Sequence, residues 1–254
     1  MSKTVSLQTS KLILERLAPE KLIKWHLKVS KKLVIIRSNV PGDNYTTQFS
    51  YLAGEQAKNK AIAEGWTVTD LQANNTNRAN VEQTINNIKP DFIIHFDHGS
   101  QYAIYGQENN AIVPVLDAAN TSLFEGRAVS TVSCESALGL GPLAVDSNAK
   151  AYLGYDDLHW VHLWYINDFI EASNAANYAL LEGKTFQQAY DTAIQKYNEK
   201  YTALLAVDTT AAGLMLQDRD RLQIVGNASA KATGLLILRS TVSLTTANIA
   251  KRIK

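Results

Sequence analysis

The stretch Asp91-Phe92-Ile93-Ile94-His95-Phe96-Asp97-His98-Gly99-Ser100, residues 91–100, sets the reading of this chain. It opens as an apolar run of the kind that forms a buried strand, ends in a reactive side chain, and passes into small and polar residues. The same shape recurs at Val129-Ser130-Thr131-Val132-Ser133-Cys134-Glu135-Ser136-Ala137.

Outward from these, Leu33-Val34-Ile35-Ile36-Arg37-Ser38 is a further short apolar run. It is followed by the turn Pro41-Gly42-Asp43-Asn44. Helix formers over 48–64 stop at Gly65, and 66–71 reads as a second strand. Residues 78–88 predict a helix closed by Pro90, and 91–96 a third strand. Val129–Val132 and 149–154 are the fourth and fifth. Strands alternating with helices imply right-handed βαβ units and a parallel sheet. The strands are apolar throughout rather than alternating, which requires helices on both faces. Beyond Gly154 the pattern turns helical. One helix is expected over 160–182. The next opens with Thr185-Phe186-Gln187-Gln188, a capping box, and places Phe186, Ala189, Tyr190, Ala193, Tyr197 and Tyr201 on one side. Residues 221–226 read as a late strand and 234–240 as another.

The expected fold class is therefore α/β: a three-layer sandwich with a mostly parallel central sheet and helices on both faces. Residues 1–30 are expected to be an N-terminal extension or hairpin, 31–228 the main domain, and 229–254 a C-terminal strand and tail. The chain has 254 residues, 46% of them hydrophobic and 19% charged, enough for one large core. A net charge of +1 gives no reason to expect nucleic acid or an anionic membrane as partner. No apolar run is long enough to span a bilayer, and the start lacks the pattern of a signal peptide, so a cytoplasmic location is expected. Oligomeric state stays open.

The single cysteine excludes an internal disulfide, so Cys134 is either a packing residue or a working thiol. In open parallel sheets ligands bind at the carboxyl ends of strands. Were the strands before His98 and Cys134 neighbours, thiol and imidazole would meet at that edge, and the chain between them is long enough for a crossover. A thiol beside an imidazole is the minimum for nucleophilic catalysis. Gly99 would let backbone approach a substrate, and the N–H groups of Gly99 and Cys134 could hold an oxyanion.

Here the sequence resembles the caspase, legumain and gingipain clan of cysteine peptidases, with gingipain-type domains nearest, over roughly residues 33–228. Lys89-Pro90-Asp91-Phe92-Ile93-Ile94 leading into His98-Gly99-Ser100 is similar to that family's histidine strand. Leu123-Phe124-Glu125-Gly126-Arg127 leading into Ser133-Cys134-Glu135-Ser136-Ala137 is similar to its nucleophile strand. Residues 149–155 resemble the strand that follows. Leu222-Gln223-Ile224-Val225-Gly226-Asn227 resembles the closing strand, with the usual Gly-Asp-Pro ending altered. The resemblance implies a caspase-like fold and a peptidase with His98 as general acid/base, Cys134 as nucleophile, peptide or protein substrates and no cofactor or metal.

Other readings stand beside this one. The chain could be a caspase-like scaffold retained for binding or regulation. His95-Phe96-Asp97-His98 is similar to part of the metallo-β-lactamase motif, but Ile93 occupies the first ligand position. His159 and His162 would have to complete such a site. His95, on the strand itself, is expected to be a core histidine. Asp43, at a strand's carboxyl end, could select a basic P1 side chain, and Glu135 could do the same. Asp156 and Asp157 could line a specificity pocket, or could cap a helix N-terminus. Trp160, Trp164, Tyr165 and Phe169 are expected in helix core.

Overall fold

The run Leu33-Val34-Ile35-Ile36 has no polar side, and both of its faces are buried. It forms most of β1 (Lys32–Arg37) in the computed structural model, which describes residues 29–43 and 45–235. The other strands of the central sheet are β2 (Thr67–Gln72) and β3 (Phe92–Phe96), then, after an inserted small sheet, β7 (Ala128–Val132), β8 (Ala151–Tyr155) and β9 (Leu222–Gly226). The insert comprises β4 (Gly99–Ser100), β5 (Ala103–Glu108) and β6 (Ala111–Asp117), paired antiparallel. The six central strands lie in the order β9-β8-β7-β3-β1-β2. Every neighbouring pair is parallel except β8 with β9.

Helices are α1 (Thr46–Ala63), α2 (Arg78–Ile88), α3 (Leu140–Asp146), α4 (Ile166–Leu181), α5 (Phe186–Leu205) and α6 (Thr209–Arg221). Successive strand residues point to opposite faces, so alternate side chains feed two separate cores. Leu33, Ile35, Phe92 and Ile94 join residues of α1, α4, α5 and α6. Val34, Ile36, Ile93 and Val129 join Val81 and Ile85 of α2, Leu140 and Ala144 of α3, and Ile104 and Leu116 of the small sheet. A mostly parallel sheet with helices on both faces is the architecture expected from the strand pattern. Val29–Gly234 form one compact unit.

Arg37 is fully buried within this packing. It donates to Asp70, to Glu55 and to the Tyr51 carbonyl. Gly54 of α1 makes room for it, since a Cβ there would stand 2.5 Å from Arg37 Cδ. The capping box at Thr185 forms with both of its hydrogen bonds. The helix expected over 160–182 begins only at Ile166, after a short 3₁₀ turn at Leu163–Tyr165. The Trp160 N–H is drawn instead to the Asp218 carboxyl, at 2.8 Å. The sheet at 99–117 and the helices α3 and α6 are additions to the expected set. Of the strand expected at 234–240, Gly234–Leu235 is extended and the rest lies outside the described residues. So do residues 1–28 and the tail from 236 onward. Among the described residues no helix is long and apolar enough to cross a membrane.

Candidate active site

Three neighbouring parallel strands, β7, β3 and β1, deliver Cys134, His98 and Asp43 from their carboxyl ends. The register pairs Phe96 with Val132, the last residues of β3 and β7. His98 and Cys134 each lie two residues further on, at matching positions on adjacent strands. Both line one cavity of about 560 Å³. Gly99 abuts the thiol-bearing loop: a Cβ on it would meet the Cys134 carbonyl oxygen at 2.5 Å and the Cys134 nitrogen at 3.1 Å.

Asp43 is placed by the turn that follows β1. Gly42 takes φ +92°, open to glycine at little cost, and the Asp43 N–H donates to the Val40 carbonyl. One Asp43 oxygen accepts the Thr46 N–H at the start of α1. The other lies 2.6 Å from His98 Nε2. A carboxylate can only accept, so Nε2 carries the hydrogen, which leaves Nδ1 as the position for a lone pair whenever the ring is neutral. Among the described residues nothing hydrogen-bonds Nδ1. The Asp43 carboxyl thus faces the imidazole, and Asp43 does not line the 560 Å³ cavity.

Cys134 is half-buried, and burial pushes its thiol pKa up. Its sulfur accepts the His159 N–H at 3.4 Å, and the thiol faces the His159 carbonyl at 3.9 Å. Among the described residues no other residue accepts the Cys134 N–H. Immediately after it Glu135 turns left-handed, φ +56°, with its N–H on the Asp157 carbonyl. That conformation is uncommon outside glycine and folds the chain sharply after the sulfur.

His95 is fully buried. Its Nε2 sits 2.6 Å from the Tyr105 carbonyl and its Nδ1 2.8 Å from the Ser133 hydroxyl. The carbonyl only accepts, so Nε2 donates and Nδ1 takes the hydroxyl proton. Burial lowers the His95 pKa to about 4, so the ring is neutral near pH 7. It ties β3 to the loop bearing Cys134 and to β5. Asp97 is buried beside it. Its Oδ1 accepts the His98 N–H at 2.7 Å, and burial raises its pKa to about 6.

Behind the sulfur lies a buried polar group that the sequence reading did not assemble. His159 Nε2 is 3.0 Å from Ser173 Oγ and 3.6 Å from Asp218 Oδ2. Ser173 touches Tyr197, whose hydroxyl meets that of Tyr155 at 2.6 Å. The His159–Asp218 approach has the geometry of an ion pair, but burial neutralises both. It pushes His159 down to about 3 and Asp218 well above the carboxylate range. Only the spacing of His159 and His162 hinted at importance here, and it suggested metal ligands. Ser173 and Asp218 carry no sequence signal of their own.

The remaining candidates lie elsewhere. Asp156 accepts from Gln223, and Asp157 pairs with Arg221 at 3.3 Å. Neither these two nor Glu135 lines the cavity. Trp164 is 87% exposed, not helix core, and Trp160 stands at the cavity mouth. Phe169 is buried as expected. Among the described residues no three His, Cys, Asp or Glu side chains converge as a ligand set.

This architecture, with its strand-end cavity, is a caspase-like α/β sandwich. Solved structures with a similar fold include proteinases. One is the Arg-specific cysteine proteinase gingipain R (RGPB), with TM-score 0.54 and 13% identity over 79% of this chain and 47% of that one. A second is the complex of Porphyromonas gingivalis RgpB pro- and mature domains, with TM-score 0.52 and 13% identity over 79% and 48% of the chains. A third, a protease, gives TM-score 0.53 and 12% identity over 78% and 48%. The chain thus spans about half the length of the structures it matches. At this identity the likeness is one of fold. No protein-family model and no curated protein matches the sequence.

Proposed function

We propose that the chain is a cysteine peptidase in which Cys134 attacks the scissile carbonyl, His98 moves the proton and Asp43 orients His98. The observation that carries this reading is the delivery of all three side chains from the ends of three adjacent parallel strands, with thiol and imidazole on one cavity. Because burial keeps the resting sulfur a thiol, the nucleophile has to be made as attack occurs. His98 Nδ1 takes the S–H proton as the sulfur bonds to the carbonyl carbon. It returns that proton to the leaving amine as the C–N bond breaks. Water, deprotonated by the same nitrogen, then cleaves the thioester and frees the thiol. The Gly99 and Cys134 N–H groups are the donors proposed to hold the oxyanion.

The test is hydrolysis of quenched fluorescent peptide libraries by wild type, Cys134→Ala and His98→Ala, with mass-spectrometric mapping of an iodoacetamide label. Loss of turnover in both variants, with wild-type label on Cys134, is expected. Turnover that survives Cys134→Ala refutes the mechanism. A wild type that cleaves nothing and resists labelling would favour a silent binding scaffold.

A further inference from the structure

The cavity beside Cys134 has a composition that bears on what it accepts. Its floor is Phe49 of α1 and Val132 at the end of β7, exposed by 2% and 5%. Its walls include Val161 and Leu214. Its mouth carries Tyr45 and Trp160, which remain exposed. Large apolar side chains left in water around a concave site, above an apolar floor, mark a surface awaiting an apolar occupant. A volume of about 560 Å³ falls within the range of ligand pockets and exceeds what a small side chain would fill.

The charges say the same by their placement. Among the described residues lining the cavity there is no lysine or arginine, and one carboxylate, Asp97. One of its oxygens is taken by the His98 N–H, and the other is buried and presents no surface to an incoming group. Asp43, two residues before Tyr45, is turned away onto His98, and Glu135 and Asp157, each next to a lining residue, do not line the cavity. His159, also on the lining, is held neutral by burial. A cation or an anion entering this space would be desolvated without a partner, which is costly.

We propose that this cavity is the S1 subsite and selects a large uncharged apolar P1 side chain, aromatic or leucine-like. The assignment rests on the peptidase reading above and adds the substrate class to it. It also separates this chain from one of its structural neighbours, which is described as Arg-specific. An unpaired charge buried in such a site should cost at least about 100-fold in kcat/KM.

The experiment uses the full chain and a set of quenched peptides differing only at P1. Alongside it runs a matched set of peptidyl acyloxymethyl ketones that alkylate an active-site thiol. Phe, Tyr or Leu at P1 should exceed Arg, Lys and Asp by roughly 100-fold or more in kcat/KM and in labelling of Cys134. A second arm uses Thr46→Asp, which places a carboxylate on the cavity wall in the first turn of α1, where the helix dipole favours it. That variant should raise cleavage after Arg by about tenfold. A wild type that labels at Cys134 but prefers Arg, Lys, Asp or Asn overturns the specificity and leaves the peptidase standing. An unchanged Arg rate in Thr46→Asp, with the Phe substrate still cleaved, overturns the assignment of this cavity as S1. Silence with every P1, and no label on Cys134, overturns the peptidase reading itself.

Discussion

Gly99→Ala is the smallest change that tests whether backbone contact between two strand ends sets the reacting geometry. The added Cβ would lie 2.5 Å from the Cys134 carbonyl oxygen, 2.6 Å from Ser133 Cβ and 3.1 Å from the Cys134 nitrogen. Two of the three obstructing atoms are backbone, so no side-chain rotation relieves the clash. The His98–Gly99 segment or the Cys134 loop has to move by about an ångström to restore ordinary contact, and overpacking of this kind costs about 1–3 kcal/mol. A displacement of that size between reacting groups is worth about 100-fold in rate. The assay is kcat/KM on the best peptide, the rate of Cys134 alkylation, and the melting temperature. Gly183→Ala is the matched control. It sits at φ +87° with open space around it, and L-residues lose roughly 1–2 kcal/mol there. Both variants should melt earlier, and only Gly99→Ala should lose about 100-fold in kcat/KM. Wild-type kinetics in Gly99→Ala, or an equal loss in Gly183→Ala, would refute the reasoning.

Three further outcomes follow from the site. Asp43→Asn keeps the size of the side chain but lets its amide face His98 Nε2 as a donor; kcat/KM should fall on the order of 100-fold, with KM little changed, in steady-state assays. His95→Phe leaves the Ser133 hydroxyl and Tyr105 carbonyl buried without partners and should cost about 2–4 kcal/mol in urea unfolding. It should also remove one acid-sensitive step: the folded pKa of about 4 lies below the unfolded 6.5, so the unfolded state binds more protons and the wild-type His95 contribution is lost as pH falls through that window. Asp218→Asn should be tolerated and should gain on wild type as pH rises. The buried carboxyl has its pKa raised, so its stabilising protonated form is lost upward from the unfolded value of 3.8, whereas an amide does not titrate; melting curves from pH 4 to 8 with a constant gap between the two proteins would contradict this.

The parts of the fold legible in the sequence are those where burial is uniform. Leu33–Ile36, Phe92–Phe96 and Ala128–Val132 are covered on both faces, and their composition says so without help from distant residues. Thr185 and Gln188 form a cap because the bonds that define it are local. The small sheet was harder. Its hairpin turns at Asn109-Asn110, both at positive φ, a signal that was there to be read. Pro114 disfavours a strand, and is tolerated because β6 is the edge of its sheet. Helix α6 buries only Ala211, Ala212, Met215 and Asp218, too thin an apolar face to show a helical period, although Asp208 caps it with two bonds. His98 and Cys134 could be picked out because strand ends are marked in the sequence. The contact between Asp43 and His98 could not, because pointing that carboxyl at His98 depends on the Gly42 turn and on the β1–β3 neighbourhood.

The buried group behind the sulfur explains why the candidate site keeps its shape although half of it is loop. Residues 158–161 have no ladder and no helix to hold them. They are held instead by bonds that reach into the helical layer: Trp160 N–H to Asp218 on α6, and the His159 ring to Ser173 on α4. Each of these partners is buried, so water cannot substitute for a lost bond, and a break costs more than the same bond would at the surface. The His159 backbone, fixed in this way, holds Cys134 Sγ from one side while the Gly99 backbone abuts the Cys134 main chain. The sulfur is therefore positioned by two backbones, one anchored in the helical layer and one in the sheet. Neutral buried groups suit that task. A charged His159–Asp218 pair would bring a strong field close to the Cys134 thiol, whereas the uncharged pair supplies direction without that field.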